Sequence, residues 1–162
     1  KAIGASTYTV EETTLAIETG WDIIQLPFNL MDQRQQQVFA LAAEKGVGLV
    51  IRSVLLKGLL SSKGRGLHPA LKKVEEHVTG YHALIDASSP DLPTLATKFA
   101  LSFQEISSVL VGIDRIEYLQ KSLQCADGVY FDNEKLEQAK SLAYPDPEFL
   151  DLPQWDRKGW LK

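Results

Sequence analysis

The chain has 162 residues, 44% of them apolar and 23% charged, the balance of an ordinary folded domain; this excludes a disordered chain, a collagen and a disulfide scaffold. Seventeen Lys and Arg against twenty-one Asp and Glu leave a net charge of −4, without the basic excess that a nucleic-acid backbone binder carries. No apolar run approaches the roughly 18 residues that span a bilayer, and no signal peptide is read at the start, so neither a nucleic-acid nor a membrane partner is expected.

Short apolar runs alternate with amphipathic segments along the chain. Ala2–Ala5 reads as a buried strand. Thr9 and Glu12 form a capping box that opens a helix through about Glu18, stopped by Gly20. Asp22–Leu26 is a second strand, ended by Pro27. From Gln35 to Lys45, Val38, Phe39, Leu41 and Ala42 share one helical face, and Gly46 is the stop. Gly48–Arg52 is a third strand, and the polar run Ser61–Gly66 reads as a surface loop. Helices are predicted at about Ala70–Leu84 and Pro93–Ser102, a fourth strand at Ser108–Val111, and helices at about Arg115–Cys125 and Asn133–Leu142. A tail rich in Pro and Trp, residues 144–162, is expected to wrap back over the body without forming an element. Residues 1–162 are thus read as one domain.

Strands separated by helices imply an α/β fold with four parallel strands, flanking helices and right-handed crossovers. A closed (β/α)8 barrel takes about 250 residues, roughly 31 per unit. Four strands in this length read as half a barrel. Leu26, Val50, Val109 and Val111 are expected to line the face that a closed barrel would enclose, so an isolated half should form a homo-oligomer or join a missing half. The chain opens on Lys1 within a strand-like run, and an upstream piece is expected. The lone Cys125 has no internal disulfide partner, which fits a reducing, cytoplasmic setting.

Four segments, in order and each at a strand's C-terminal end, resemble the aldo-keto reductase family. Ile3-Gly4-Ala5-Ser6 is similar to the family's fifth strand, which ends in Gly-x-Ser-Asn. Ile24-Gln25-Leu26-Pro27-Phe28-Asn29 is similar to its sixth-strand Q-x-x-Y/F-N signature. Val50-Ile51-Arg52-Ser53 with Lys57-Gly58-Leu59-Leu60 resembles the seventh strand and its loop, and Ser108–Ile113 resembles the eighth. The resemblance implies the C-terminal half of a (β/α)8 TIM barrel and a nicotinamide-dependent carbonyl oxidoreductase using NADP or NAD. It implies that Ser6 and Gln25 bond the nicotinamide carboxamide, whose donors and carbonyl a hydroxyl and an amide can both answer. Arg52 falls where the family often stacks an aromatic ring on the nicotinamide. Ser53, Leu55 and Gly58 match the loop over the pyrophosphate, and Gly112, Ile113 and Arg115 match the adenosine side.

Departures from the family pattern are equally specific. Thr7 stands where Asn is usual, and Tyr118, Lys121 and Ser122 stand where adenosine contacts are usual. Asp114 beside Arg115 leaves the choice between NADP and NAD open. Nothing resembles the motifs of the family's catalytic Tyr, Lys, Asp and His, so the chain alone is expected to be inactive, with no catalytic residue and no metal ligand of its own. The alternative is a non-catalytic half-barrel that binds a nucleotide or a partner chain. Asn29 reads equally as a turn residue or a ligand contact. Asp86, Asp91 and Glu75-Glu76 read as solvated surface, Cys125 as a packed residue, and His68, His77 and His82 as forming no site.

Overall fold

The computed structural model describes residues 1–161. Its centre is a parallel sheet in the order β1-β2-β3-β4, built from Gly4–Ser6, Ile23–Pro27, Gly48–Arg52 and Ile106–Val109. The strands alternate in side-chain direction. Ile24 and Leu26 in β2, and Leu49 and Ile51 in β3, are fully buried in the core. Residues paired across parallel strands share a face, so Ser6, Gln25, Val50 and Ser108 form one row on the opposite side.

That alternation corrects two expectations. Leu26 does not line the free face; it is two residues from Ile24 and buried with it. Val109 pairs with Ile51 and packs against the core as well. Val50 and Val111 are half-buried. The fourth strand also begins two residues earlier than predicted. The Ser107 hydroxyl accepts a hydrogen bond from the Leu49 amide at 3.2 Å, and a register shift at Leu49/Val50 draws the polar pair Ser107-Ser108 into the sheet.

The connections follow local chemistry. Thr9 caps α1 (Val10–Glu18) through a complete capping box with Glu12. Residues Arg34–Val38 form a 3-10 turn running into α2 (Phe39–Lys45), which Gly46 ends in a left-handed conformation at φ 69°. The predicted helix near 70–84 is a 3-10 turn, α3 (Lys72–Gly80) and a second 3-10 turn. Asp91 caps α4 (Leu92–Leu101) through the Thr94 amide at 2.9 Å. After β4 come α5 (Ile116–Gln124) and α6 (Asn133–Ser141).

Between sheet and helices, Phe28, Phe39, Phe99 and Phe103 pack with ring centroids 5.0–5.5 Å apart. Each such pair adds about 0.5–1.5 kcal/mol beyond area burial. The tail does wrap back, with Tyr144 donating to the Met31 carbonyl and Trp155 fully buried. It also forms an element, contrary to expectation: α7 (Leu152–Arg157), capped by Asp151 with Pro153 in its first turn. The Tyr81 hydroxyl donates to the Leu30 carbonyl at 2.8 Å and reaches the Leu142 carbonyl, tying α3, the loop after β2 and the end of α6 together. Among the described residues no helix is long and apolar enough to cross a membrane, and no group of three or more His, Cys, Asp or Glu could hold a metal ion.

Candidate functional site

All four strands point their C-terminal ends the same way, so the loops that follow them share one rim. The loop after β3 is the most constrained. Ser53, Leu56 and Lys57 hold φ of 61°, 47° and 52°, and Gly58 follows at 94°. A non-glycine residue in this region costs about 1–3 kcal/mol. The cost is offset by anchors: Val54, Leu56, Leu59 and Leu60 are buried, and the amides of Leu56, Gly58 and Leu60 close turns on the carbonyls of Ser53 and Leu55. The loop is therefore held in shape with Lys57 exposed. Gly58 is favoured by its left-handed φ, and an added Cβ would lie 3.1 Å from the Lys63 side chain.

Between this loop and the stretch following β4 lies a groove of about 950 Å3. Ser53, Leu55 and Gly58 contribute to its lining from one side, and Gly112 and Ile113 from the other. Nothing lies within 4 Å of a Cβ built on Gly112. Four cations, Lys57, Lys63, Arg65 and Lys121, line the groove against two carboxylates, Asp91 and Asp114. The balance is locally positive on a chain of net charge −4. Lys63 approaches Asp114 at 4.0 Å, Lys121 pairs with Asp91 at 3.2 Å, and Arg65 lies 3.5 Å from His82 Nε2.

Asp91 is half-buried and caps α4, so the solvated role read from sequence is corrected. Burial alone would raise its pKa, but hydrogen bonds from Thr94 and the Lys121 ammonium outweigh it and hold the carboxyl below its usual value. Asp86 is exposed, as read, and pairs with Lys135 at 2.8 Å. Glu75 accepts the amides of Gly66 and Leu67 and so fixes the far end of the groove loop. Cys125 is buried at the groove's edge, where burial pushes its thiol up.

The other site residues read from sequence lie outside the groove lining. Ser6 and Gln25 are register partners on the open row, and neither side chain has a hydrogen-bond partner among the described residues. Arg52 ends β3 and crosses to the loop after β1. Its guanidinium donates to the Thr7 carbonyl at 3.0 Å and to the Ser53 hydroxyl at 3.3 Å, and it lies 4.4 Å over the Tyr8 ring. Tyr8 was missed in the sequence, although an aromatic just past a strand end is the natural platform for a strand-end Arg. Thr7 turns inward, sharing a 2.7 Å hydrogen bond with the Thr13 hydroxyl. Asn29 is a turn residue: its Oδ1 accepts the amides of Met31 and Asp32. Arg115 is the exposed N-cap of α5 and gives it no side-chain cap.

Four parallel strands with flanking helices, and a cation-rich groove at their C-terminal ends, define an α/β half-barrel. Residues 1–143 match the model of the aldo/keto reductase family, and the chain belongs to that family. It is 28% identical over 105 residues to L-galactose dehydrogenase of Arabidopsis thaliana, covering 62% of this chain and 33% of that protein. It is 25% identical over 129 residues to the uncharacterized oxidoreductase YqkF of Bacillus subtilis (strain 168), covering 73% and 42%. An aldo-keto reductase from Bacillus halodurans superposes in its apo form with a TM-score of 0.71 at 20% identity, covering 85% of this chain and 49% of that one. Its holo form gives 0.66 at 19%, covering 82% and 45%. The chain thus spans a third to a half of the length of these relatives.

Proposed function

We propose that this chain is the cofactor-side half of an aldo-keto reductase-type oxidoreductase, and that its groove holds a nicotinamide dinucleotide, NADP or NAD. The observation that carries this reading is the collection of four cations around one groove of an acidic chain. A pyrophosphate would lie against Lys57 and Lys63, beside Ser53, Leu55 and Gly58. The adenosine end would meet Gly112, Ile113 and Arg115, next to the uncapped N-terminus of α5, whose first amides favour an anion. Ser6 and Gln25, adjacent and unpartnered, suit a carboxamide with its two donors and one acceptor. Arg52, fixed by Thr7 and Tyr8, presents a planar guanidinium beside them.

When bound, the nicotinamide supplies a hydride to a substrate carbonyl. In this reading the chain's own residues bind and orient, and the proton donor comes from a complementary half-barrel. General-acid help is worth about 10²- to 10⁴-fold in rate. The isolated chain should therefore show no steady turnover with aldehydes. Arg115 and Asp114 act in opposite senses on a 2′-phosphate, so the phosphate preference is left to measurement. A reducing, cytoplasmic setting accords with the buried free thiol of Cys125.

Calorimetric titration with ADP-ribose, NADH and NADPH tests the reading. ADP-ribose should keep most of the affinity, and Lys63→Ala or Lys57→Ala should each weaken it about tenfold, the value of one charged hydrogen bond. No heat with any of the three, or affinities that ignore both substitutions, would sink it.

A further inference from the structure

We propose that the Arg52 guanidinium makes the site discriminate by redox state, holding a reduced nicotinamide about tenfold more tightly than the oxidised form. The inference rests on the placement of the carboxamide at Ser6 and Gln25 in the reading above, and adds which form of the cofactor that placement favours. Ser6 and Gln25 are register partners, and two residues further on Pro27 pairs with Arg52. Arg52 therefore falls on the same face of the sheet as Ser6 and Gln25, about 6.6 Å nearer the C-terminal ends of the strands. Its side chain reaches back across the sheet: Nη2 donates to the carbonyl of Thr7, the residue after Ser6, at 3.0 Å. The guanidinium thus starts from β3 and is held beside β1, crossing the end of β2, the strand that carries Gln25. A carboxamide held by Ser6 and Gln25 has its ring alongside this cation.

The groups that hold the guanidinium are all neutral. Nη1 donates to the Ser53 hydroxyl at 3.3 Å, and the Tyr8 ring lies beneath at 4.4 Å. Among the described residues no carboxylate lies within 4.0 Å of it. Glu12, the acid joined to the same loop, has its carboxylate on the Tyr8 and Thr9 amides, where it completes the cap of α1. Arg52 is therefore a half-buried positive charge, fixed in place and without a counter-ion. An oxidised nicotinamide ring carries a positive charge and a reduced ring carries none. Two unit charges about 6 Å apart, at an effective dielectric of about 40, repel enough to change an affinity about tenfold. The groove cations Lys57, Lys63, Arg65 and Lys121 act on the phosphates, which both forms share.

Calorimetric titration with NADH, NAD⁺ and ADP-ribose tests the proposal by binding alone. NADH should bind about tenfold more tightly than NAD⁺. Arg52→Gln keeps a planar, hydrogen-bonding side chain without the charge. It should bring the two forms within about twofold of each other, chiefly by tightening NAD⁺, and leave ADP-ribose unchanged. Lys63→Ala should weaken both forms together and preserve their ratio. Should Arg52→Gln fail to fold, salt decides on the unaltered chain, because the ratio should shrink as ionic strength rises. Equal affinities on the unaltered chain, a ratio that survives Arg52→Gln or high salt, or an equal loss of both forms on that substitution would each overturn the proposal. ADP-ribose separates the two claims. If it does not bind, the proposed function fails and this inference with it; if it binds while NADH and NAD⁺ are held equally, only this inference fails.

Discussion

Replacing Gly64 by alanine tests whether the groove's wall is a built structure. A Cβ at Gly64 would lie 2.0 Å from the Leu59 carbonyl oxygen and 3.0 Å from its carbon. Ordinary contact begins at 3.4 Å, so the chain must move by more than an ångström. The obstacle is backbone: Leu59 is buried and its amide is bonded to the Leu56 carbonyl at 3.1 Å. Overpacking of this kind costs about 3 kcal/mol, the upper end of the usual range. For a chain of this size that lowers Tm by about 6–12 °C. Lys63 and Arg65 flank the substitution and line the groove, so ADP-ribose affinity should also fall, by about tenfold if one charged contact is lost. Gly112→Ala is the control. Its Cβ meets nothing within 4 Å and its φ is not left-handed, so stability should change by less than about 0.5 kcal/mol. Scanning calorimetry reads both variants. An unchanged Tm for Gly64→Ala would refute the close approach of Gly64 to Leu59.

Further outcomes follow from buried and paired groups. Burial pushes the Tyr81 hydroxyl well above its ordinary value, so the folded state keeps its proton after the unfolded chain has lost it. Stability is then full below about pH 10 and falls by about 1.4 kcal/mol per pH unit above it, and Tyr81→Phe should flatten that limb in pH-dependent melts. Lys135 first, then the Ser88 hydroxyl, hold the Asp86 carboxyl below its usual range. The stability this brings is present above about pH 4 and lost as pH falls further, and Asp86→Asn should remove that dependence in acid denaturation. Trp155→Ala should cost about 3–5 kcal/mol in urea unfolding, because the indole is fully buried. Trp155→Phe should cost under about 2 kcal/mol, since the indole N–H it removes has no partner among the described residues.

What the sequence made legible was governed by neighbours along the chain. The Thr9–Glu12 box, the Gly46 stop and the β2 and β3 runs each depend on a few adjacent residues; the structure has the box, the stop and β3 where the pattern puts them, and β2 one residue later, with Pro27 inside the strand. What escaped depends on partners far away. The β4 register is set by the Ser107 hydroxyl on Leu49, 58 residues apart, and an exposed polar Ser-Ser pair carries no apolar strand signal. Leu26 was assigned to the wrong face because the frame comes from its packing with Ile24, not from its own apolarity. Within the candidate site, Ser53, Leu55, Gly58, Gly112 and Ile113, which the family resemblance singled out, line the groove, whereas its cations Lys63, Arg65 and Lys121 were not read as a set. The division into a groove and a separate Ser6–Gln25–Arg52 rim could not, because it follows from Arg52 reaching back to Thr7 and Tyr8. The tail helix was hidden by its prolines, although Asp151 followed by Pro153 is itself a helix-start signal.

The central claim is that the groove is a dinucleotide site, and amide-shift mapping with ADP-ribose tests it most directly. Shifts should appear in Ser53–Arg65 and Leu110–Arg115, with α5's first amides among them, and should shrink when Lys63 is replaced by alanine. Shifts confined to the N-terminal ends of the strands, or no shifts at saturating ADP-ribose, would contradict the account.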